Sequence, residues 1–177
     1  MTVLTHDLLL QVLDYDPDEG SMIWKYRPES MFKRKCHYVS WNKRYAGRNA
    51  TETRRAGYPQ IRIFGKSYAA HRVAWFYVHG AWPEMQVDHI NRVKHDYRIT
   101  NLRCVEPYQN GMNVGRRSNN TSGVTGASWD GERQSWKVSI TTKGKRTCLG
   151  YFDNLFDAAA ARIAAQNQMG FARDHGR

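Results

Sequence analysis

The sequence predicts an α+β protein built of two modules, on three observations. Residues 85–113 read strand, loop, strand, helix. Residues 124–169 read as three short strands, with Gly131 and Gly144 in the turns, followed by one alanine-rich helix. The 27 basic and 16 acidic side chains leave a net charge of +11, distributed in blocks.

At roughly 100–200 residues per domain, 177 residues make one ordinary domain or two small ones. With 41% hydrophobic and 24% charged residues the chain is globular in composition, not disordered. Its longest apolar runs, such as residues 73–78, are far short of the ~20 residues of a membrane span. The N-terminus has no basic stretch before an apolar one, so no signal peptide is expected. Cys36, Cys104 and Cys148 are too scattered for a disulfide framework or a Cys-x-x-Cys zinc knuckle, and a reducing cytoplasm fits them.

Residues 1–24 carry five acids and no lysine or arginine, whereas residues 25–72 carry 13 bases and two acids. Residues 73–112 balance at four and four, residues 113–150 carry seven bases and two acids, and residues 151–177 balance again. Two basic blocks therefore flank a neutral one. A basic chain attracts polyanions through counterion release. Aromatics interleaved with the first block (Trp24, Tyr26, Phe32, Tyr38, Trp41, Tyr45, Tyr58) favour nucleic acid over lipid headgroups, and no long amphipathic basic helix argues for a membrane.

The elements follow in order. Thr5 caps a helix over residues 7–14, with Leu8, Leu9, Val12 and Leu13 on one side. Asp16-Pro-Asp-Glu-Gly20 is a turn, and residues 22–26 are a strand. Residues 28–57 are basic and read as irregular. Residues 58–64 and 67–70 around Gly65-Lys66 form a hairpin. Residues 71–79 form a helix ended by Gly80. Strands at 85–90 and 102–105 precede a helix opened by Pro107 and running to 113. The polar, glycine-bounded stretch 115–123 is a linker. Strands at 124–129, 136–141 and 146–152 lead to a helix at 155–169, capped by Asp153 or Asn154 and closed by Gly170. In the middle strand Trp136, Val138 and Ile140 share the helix-facing side. Lys137, Ser139 and Thr141 face out, as do Arg146 and Cys148 on the third.

The neutral block holds Asp88-His89, Asn101 and Asn110. A carboxylate suits a hard divalent cation, histidine is the natural general base for water, and an asparagine carbonyl completes a metal site or orients an imidazole. Asn101 lies twelve residues and Asn110 twenty-one residues after His89.

These residues resemble the HNH endonucleases, in particular the phage and group-I-intron homing enzymes in which asparagine replaces the last histidine. The resemblance extends through Ala70-His71-Arg72-Val73-Ala74-Trp75, Gly80-Ala-Trp-Pro83, Val87-Asp-His-Ile-Asn91 and Ile99-Thr-Asn-Leu-Arg103 to the N-terminal Leu13-Asp-Tyr-Asp-Pro17 with Gly20 and Trp24, essentially the whole chain. It implies a ββα core clasping one metal. Asp88 and Asn110 would hold one Mg²⁺ (or Mn²⁺), His89 would deprotonate the attacking water, and Asn101 would pin the loop and the His89 ring. His71 and Arg72 would support the site, His71 either as a buttress or in the chemistry. Two residues depart from the pattern: Tyr97 in Asp96-Tyr97-Arg98, where the family has asparagine, and Arg92, where it often has glycine.

Ser122-Gly-Val124, Ser128-Trp129, residues 136–140, residues 149–152 and the alanine-rich helix resemble the Apetala/ethylene-response-factor DNA-binding domain, a three-stranded antiparallel sheet packed on one helix. That resemblance implies docking of the sheet on duplex DNA. Plant domains carry first-strand arginines where Ser122, Thr125 and Ala127 stand here, so phosphate contacts should outweigh base contacts. Trp129 either stacks on sugar or packs inward.

The expectation is therefore a metal-dependent DNA endonuclease of the homing type. It would nick duplex DNA in the cytoplasm of a phage-infected bacterium to leave 5′-phosphate and 3′-hydroxyl ends, as a monomer or a dimer and without a membrane partner. Residues 1–66 would be a basic DNA-contacting region, 67–114 the nuclease core, 115–122 a linker and 123–177 the docking domain. DNA contacts are expected from Lys33, Arg34, Lys35, Arg54, Arg55, Arg116, Arg117, Arg133, Lys137, Ser139, Thr141, Lys143, Lys145 and Arg146. A catalytically silent DNA-binding regulator and an RNA-processing protein are the competing readings. The intact Asp88, His89, Asn101 and Asn110 argue against the first, and competition between duplex DNA and RNA tests the second.

Overall fold

Thr5 opens the first helix as expected, its Oγ accepting the Leu8 N–H at 3.3 Å, but α1 (His6–Val12) stops two residues early. Residues 13 and 14 instead belong to β1 (Leu13–Tyr15), which pairs antiparallel with β2 (Met22–Trp24) through Leu13 opposite Trp24. Cross-strand pairing wins there because it buries Leu13 and Tyr15 on one face. The computed structural model describes residues 3–52, 58–171 and 175–176, so Arg54 and Arg55 lie outside the described residues. It is a mixed helix and strand structure with small antiparallel sheets, and packing divides it into two units, Met1–Val105 and Glu106–Arg177.

In the first unit, Asp16 Oδ1 accepts the Asp18 and Glu19 N–H groups and its carbonyl accepts the Gly20 N–H, so the expected turn forms. The stretch read as irregular contains a helix, α2 (Lys35–Tyr45). It has no side-chain cap and no acid in its first turn, so local signals do not announce it. Tertiary contacts hold it. Asn42 clasps the Arg27 backbone, accepting its N–H and donating to its carbonyl, both at 2.9 Å. The Arg27 guanidinium lies 3.8 Å from the Trp41 ring centroid and also over Trp24 and Phe64.

The hairpin is β3 (Gln60–Ile63) and β4 (Lys66–Ala69), and α3 (Ala70–His79) follows at once. Gly80, at φ +72°, ends α3 with its N–H on the Phe76 carbonyl. Leu9, Leu13, Met22, Ile61, Ile63 and Val73 are fully buried in one core. β3 and β4 pair across the 66/67 boundary of the sequence reading, with Ile61 opposite Tyr68 and Arg62 opposite Ser67. β5 (Gln86–His89) and β6 (Leu102–Val105) complete the unit as an antiparallel pair.

The second unit begins with a single-turn helix, α4 (Pro107–Gly111), opened by a Glu106/Gln109 capping box and shorter than the expected 107–113. β7 (Ala127–Asp130), β8 (Ser135–Thr142) and β9 (Lys145–Phe152) form a sheet in that order. α5 (Leu155–Gln168) packs on it, capped by Asn154, whose Oδ1 accepts the Asp157 N–H at 2.9 Å. Small Ala158 lets the helix approach Ala127 and Val138, with Trp136, Leu149, Phe152 and Leu155 around them. The 115–122 stretch is tied to the sheet at its end, where Ser122 Oγ lies 2.8 Å from the Ala127 carbonyl.

Ser139 departs from the expectation that it faces solvent. It is buried, and its Oγ accepts the Arg146 Nε–H at 2.9 Å. The Arg146 side chain thus lies against it, next to a register shift where the partners on β9 jump from Gly150, opposite Val138, to Cys148, opposite Ser139.

Candidate active site

β5 delivers Asp88 and His89 at its end, and β6 supplies the partners opposite, Arg103 facing Asp88 and Leu102 facing His89. Asp88, His89, Asn101 and His71 are polar yet all buried, a costly grouping unless each is held by hydrogen bonds or charge. The Asp88 carboxylate is held by Arg103, whose Nη2–H and Nε–H both reach Oδ2, at 2.9 and 3.1 Å.

Asn101 organises the loop between the two strands. Its Oδ1 accepts the Asn91 N–H, and its Nδ2 donates to Asn91 Oδ1 and the Asp96 carbonyl, each at 3.0 Å. Asp96 in turn takes the Asn91 amide and a forked Arg98 guanidinium, and these bonds, Arg98's foremost, hold its carboxyl well below the usual carboxylate range.

Both departures from the family pattern have a place in this loop. Arg92 sits at φ +63°, the left-handed region that glycine enters freely. Tyr97 is a core residue, 5% exposed, whose carbonyl accepts the Tyr15 hydroxyl at 2.6 Å. Gly20 (φ +74°) packs so closely under Tyr97 and Arg98 that a Cβ there would lie 2.7 Å from the Arg98 nitrogen. The Ile99 N–H bonds the Pro17 carbonyl. The turn at 16–20 and the loop at 96–99 are therefore one locked structure.

The His89 ring is packed on two sides. His71, from α3, meets it edge-on at 5.1 Å between centroids, and Tyr58 stacks at 6.2 Å with 16° between planes. Lys94 Nζ lies 4.9 Å from the Tyr58 ring centroid. Burial pushes the His89 imidazole below its ordinary pKa, with Asp88 opposing the shift, and burial pushes His71 down to about 4. Both rings are thus held toward the neutral form, and a neutral imidazole can accept a proton. Arg72 reaches away from this cluster to the Pro83 and Met85 carbonyls, bracing the chain that leads into β5.

Sequence reasoning did not single out Arg103, Tyr58 or Lys94 as site residues. Arg103 could have been found by pairing the two strands on paper, since the register sets it opposite Asp88. Tyr58 and Lys94 carry no local signal.

Asn110 is on α4, in the second unit. Among the described residues no group of three or more His, Cys, Asp or Glu side chains converges. The donors at hand still suit a hard ion, because Mg²⁺ is commonly bound by one or two carboxylates plus waters and substrate phosphate. Asp88 is such a carboxylate, fixed at a strand end beside a histidine.

The basic residues distribute as follows. Lys33, Arg34 and Lys35 are exposed at the N-terminal end of α2, where the helix dipole adds to their positive field. Arg116 donates to the Gly123 carbonyl at 3.1 Å, and Arg117 is exposed. Arg133 and Lys137 lie over the Tyr151 ring at 4.6 and 5.7 Å. Thr141, Lys143, Lys145 and Arg146 are exposed, and Lys143 lies over Tyr108.

Residues 68–112 match the HNH endonuclease family. Over 84 residues the chain is 33% identical to Protein 3.8 of Escherichia phage T7, covering 47% of this chain and 69% of that protein. No solved structure matches. Among the described residues no helix is long and apolar enough to cross a membrane.

Proposed function

This chain belongs to the same family as Protein 3.8 of Escherichia phage T7 and carries an HNH endonuclease domain at residues 68–112, and from that premise we propose that it is a metal-dependent DNA endonuclease of the homing type. The observation that carries the reading is the buried pair Asp88-His89 at the end of β5, with Asn101 locking the loop that follows.

In this reading His89, kept neutral by burial, accepts the proton of the attacking water. Tyr58 and His71 restrict its ring, so the basic nitrogen is presented in one orientation. Asp88 would hold one Mg²⁺ or Mn²⁺, and the resemblance to the HNH enzymes implies Asn110 as second ligand. Bound there, the ion supplies positive charge for the phosphate oxygens and the departing 3′-oxygen. Asn101 acts through the loop, fixing the backbone after His89. One such centre cuts one strand, leaving 5′-phosphate and 3′-hydroxyl ends, so a monomer nicks.

Residues 123–177 serve as the duplex-docking module, similar to the Apetala/ethylene-response-factor domain. Support comes from the three-stranded sheet on one helix and from the outward row Ser128, Lys137, Tyr151 with Arg133 beside it. Residues 1–66 add the basic contacts of Lys33, Arg34 and Lys35 to the nuclease core at 67–114, and 115–122 connects core to module. The place of action is the infected bacterial cell.

Supercoiled plasmid with Mg²⁺, Mn²⁺ or EDTA, treated with wild type or His89→Ala, tests this. The expected result is metal-dependent open circle from wild type and a loss of at least about a hundredfold in His89→Ala with DNA binding retained. Equal cleavage by both proteins refutes His89 as base, and binding with no cleavage in any metal makes the chain a DNA-binding regulator instead.

A further inference from the structure

The second unit contains a groove of about 920 Å³ that the cleavage chemistry leaves unused. Its described lining includes Arg117, Arg146 and Arg162, with Asn119 and Asn120, and not one carboxylate. Trp129 also lines it and is 48% exposed, touching Trp136 edge-on at 5.3 Å between centroids.

Arg162 is the unusual member. It projects from α5 and is only 4% exposed. Its Nε donates to the Thr125 carbonyl at 2.8 Å and its Nη2 lies 3.4 Å from His175 Nε2, while Nη1 is buried with no hydrogen-bond partner among the described residues. Burial alone holds its pKa below the ordinary value. Among the described residues this buried guanidinium faces carbonyl, imidazole and ring partners and no carboxylate, and a buried cation without a counter-charge is costly until an anion arrives. Arg117 and Arg146, both exposed, extend the same positive field outward.

The indole selects among anions. A base inside a duplex has both faces covered by its neighbours, so an exposed tryptophan beside a run of arginines suits a strand whose bases are unstacked. The amide of Asn119 can accept or donate to base edges and phosphate oxygens alike, whereas that of Asn120 shapes the wall, accepting the Gly123 N–H and donating to the Val124 carbonyl.

We propose that this groove binds single-stranded nucleic acid, its phosphodiester backbone held by Arg117, Arg146 and the buried charge of Arg162, with one base stacked on Trp129. The proposal rests on the reading of the chain as a nucleic-acid enzyme but not on its cleavage step. In a nicking reaction the strand freed at the cut is the natural occupant.

The test uses full-length His89→Ala, fluorescein-labelled oligothymidylate and a hairpin duplex, followed by anisotropy. Trp129 and Arg117 are exposed and can be changed without unpacking α5, whereas Arg162 cannot. Trp129→Ala should weaken oligothymidylate binding about tenfold and change duplex binding by less than about twofold. Arg117→Ala should weaken it less and lower the salt dependence by about one phosphate contact. No saturable single-strand binding, or variants that bind oligothymidylate as the parent does, would overturn the proposal. Plasmid nicking by wild type and by Trp129→Ala separates the two readings: nicking with a silent groove leaves the nuclease standing, and single-strand binding without nicking leaves the groove standing.

Discussion

Arg103 and Asp88 face each other directly across the β5–β6 pair, and both hydrogen bonds from the guanidinium converge on one carboxylate oxygen. A charged pair at a strand end, with Asp88 buried and Arg103 partly exposed, fixes the carboxylate without closing the site from solvent. Arg103 supplies positive charge to Asp88 across the strand pair.

Arg103→Ala should therefore cost about 1 kcal/mol in metal-free protein, the pair being partly screened by water. Mg²⁺ should then raise the Tm of the variant more than that of the parent, because the ion takes the place of the missing cation. Thermal scans with and without Mg²⁺ measure this, and equal shifts would place the ion away from Asp88.

Gly20→Ala should be far worse than Gly47→Ala. Both glycines have φ near +74°, but a Cβ at Gly20 meets the Tyr97–Arg98 backbone and one at Gly47 meets open space. Left-handed strain alone predicts about 1 kcal/mol at Gly47, and strain plus overlap about 3 kcal/mol at Gly20. Urea unfolding compares them, and only Gly20→Ala should also reduce plasmid nicking, since the loop it displaces is anchored to Asn101.

His71 predicts an acid limb in stability. Its pKa falls from 6.5 unfolded to about 4 folded, so the unfolded chain binds the proton first. The stabilisation is fully present above pH 6.5 and is lost as pH falls through 4, reaching about 3 kcal/mol by pH 4. In His71→Gln that limb should flatten when Tm is followed from pH 7 to pH 4, and an unchanged slope would exclude His71 as its source.

Tyr97→Phe should leave stability unchanged or raise it by about 1 kcal/mol, because its hydroxyl is buried with no hydrogen-bond partner among the described residues. The bond from Tyr15 goes to the Tyr97 carbonyl and survives the change. A loss of stability measured by urea titration would reveal a partner for the hydroxyl.

Local chemistry makes much of this protein legible in its sequence. Thr5 and Asn154 have oxygens that cap helices, Gly80 has no Cβ to oppose a left-handed end, and period-two alternation placed Val138 and Ile140 inside. Asp88, His89 and Asn101 stood out because their order and spacing form a pattern within a few dozen residues. What depends on distant partners stayed hidden. α2 exists because Asn42 and Trp41 grip Arg27, although its own first turn lacks both cap and acid. Ser139 is buried against the Arg146 side chain, Arg103 meets Asp88 through register, and Tyr97 is locked by a glycine far earlier in the chain. Side-chain type and short-range geometry act within a turn or two, so sequence determined most of the elements and singled out the candidate residues. Burial, charge pairing and ring packing arise only when remote segments meet, so tertiary structure alone decided how those residues are held.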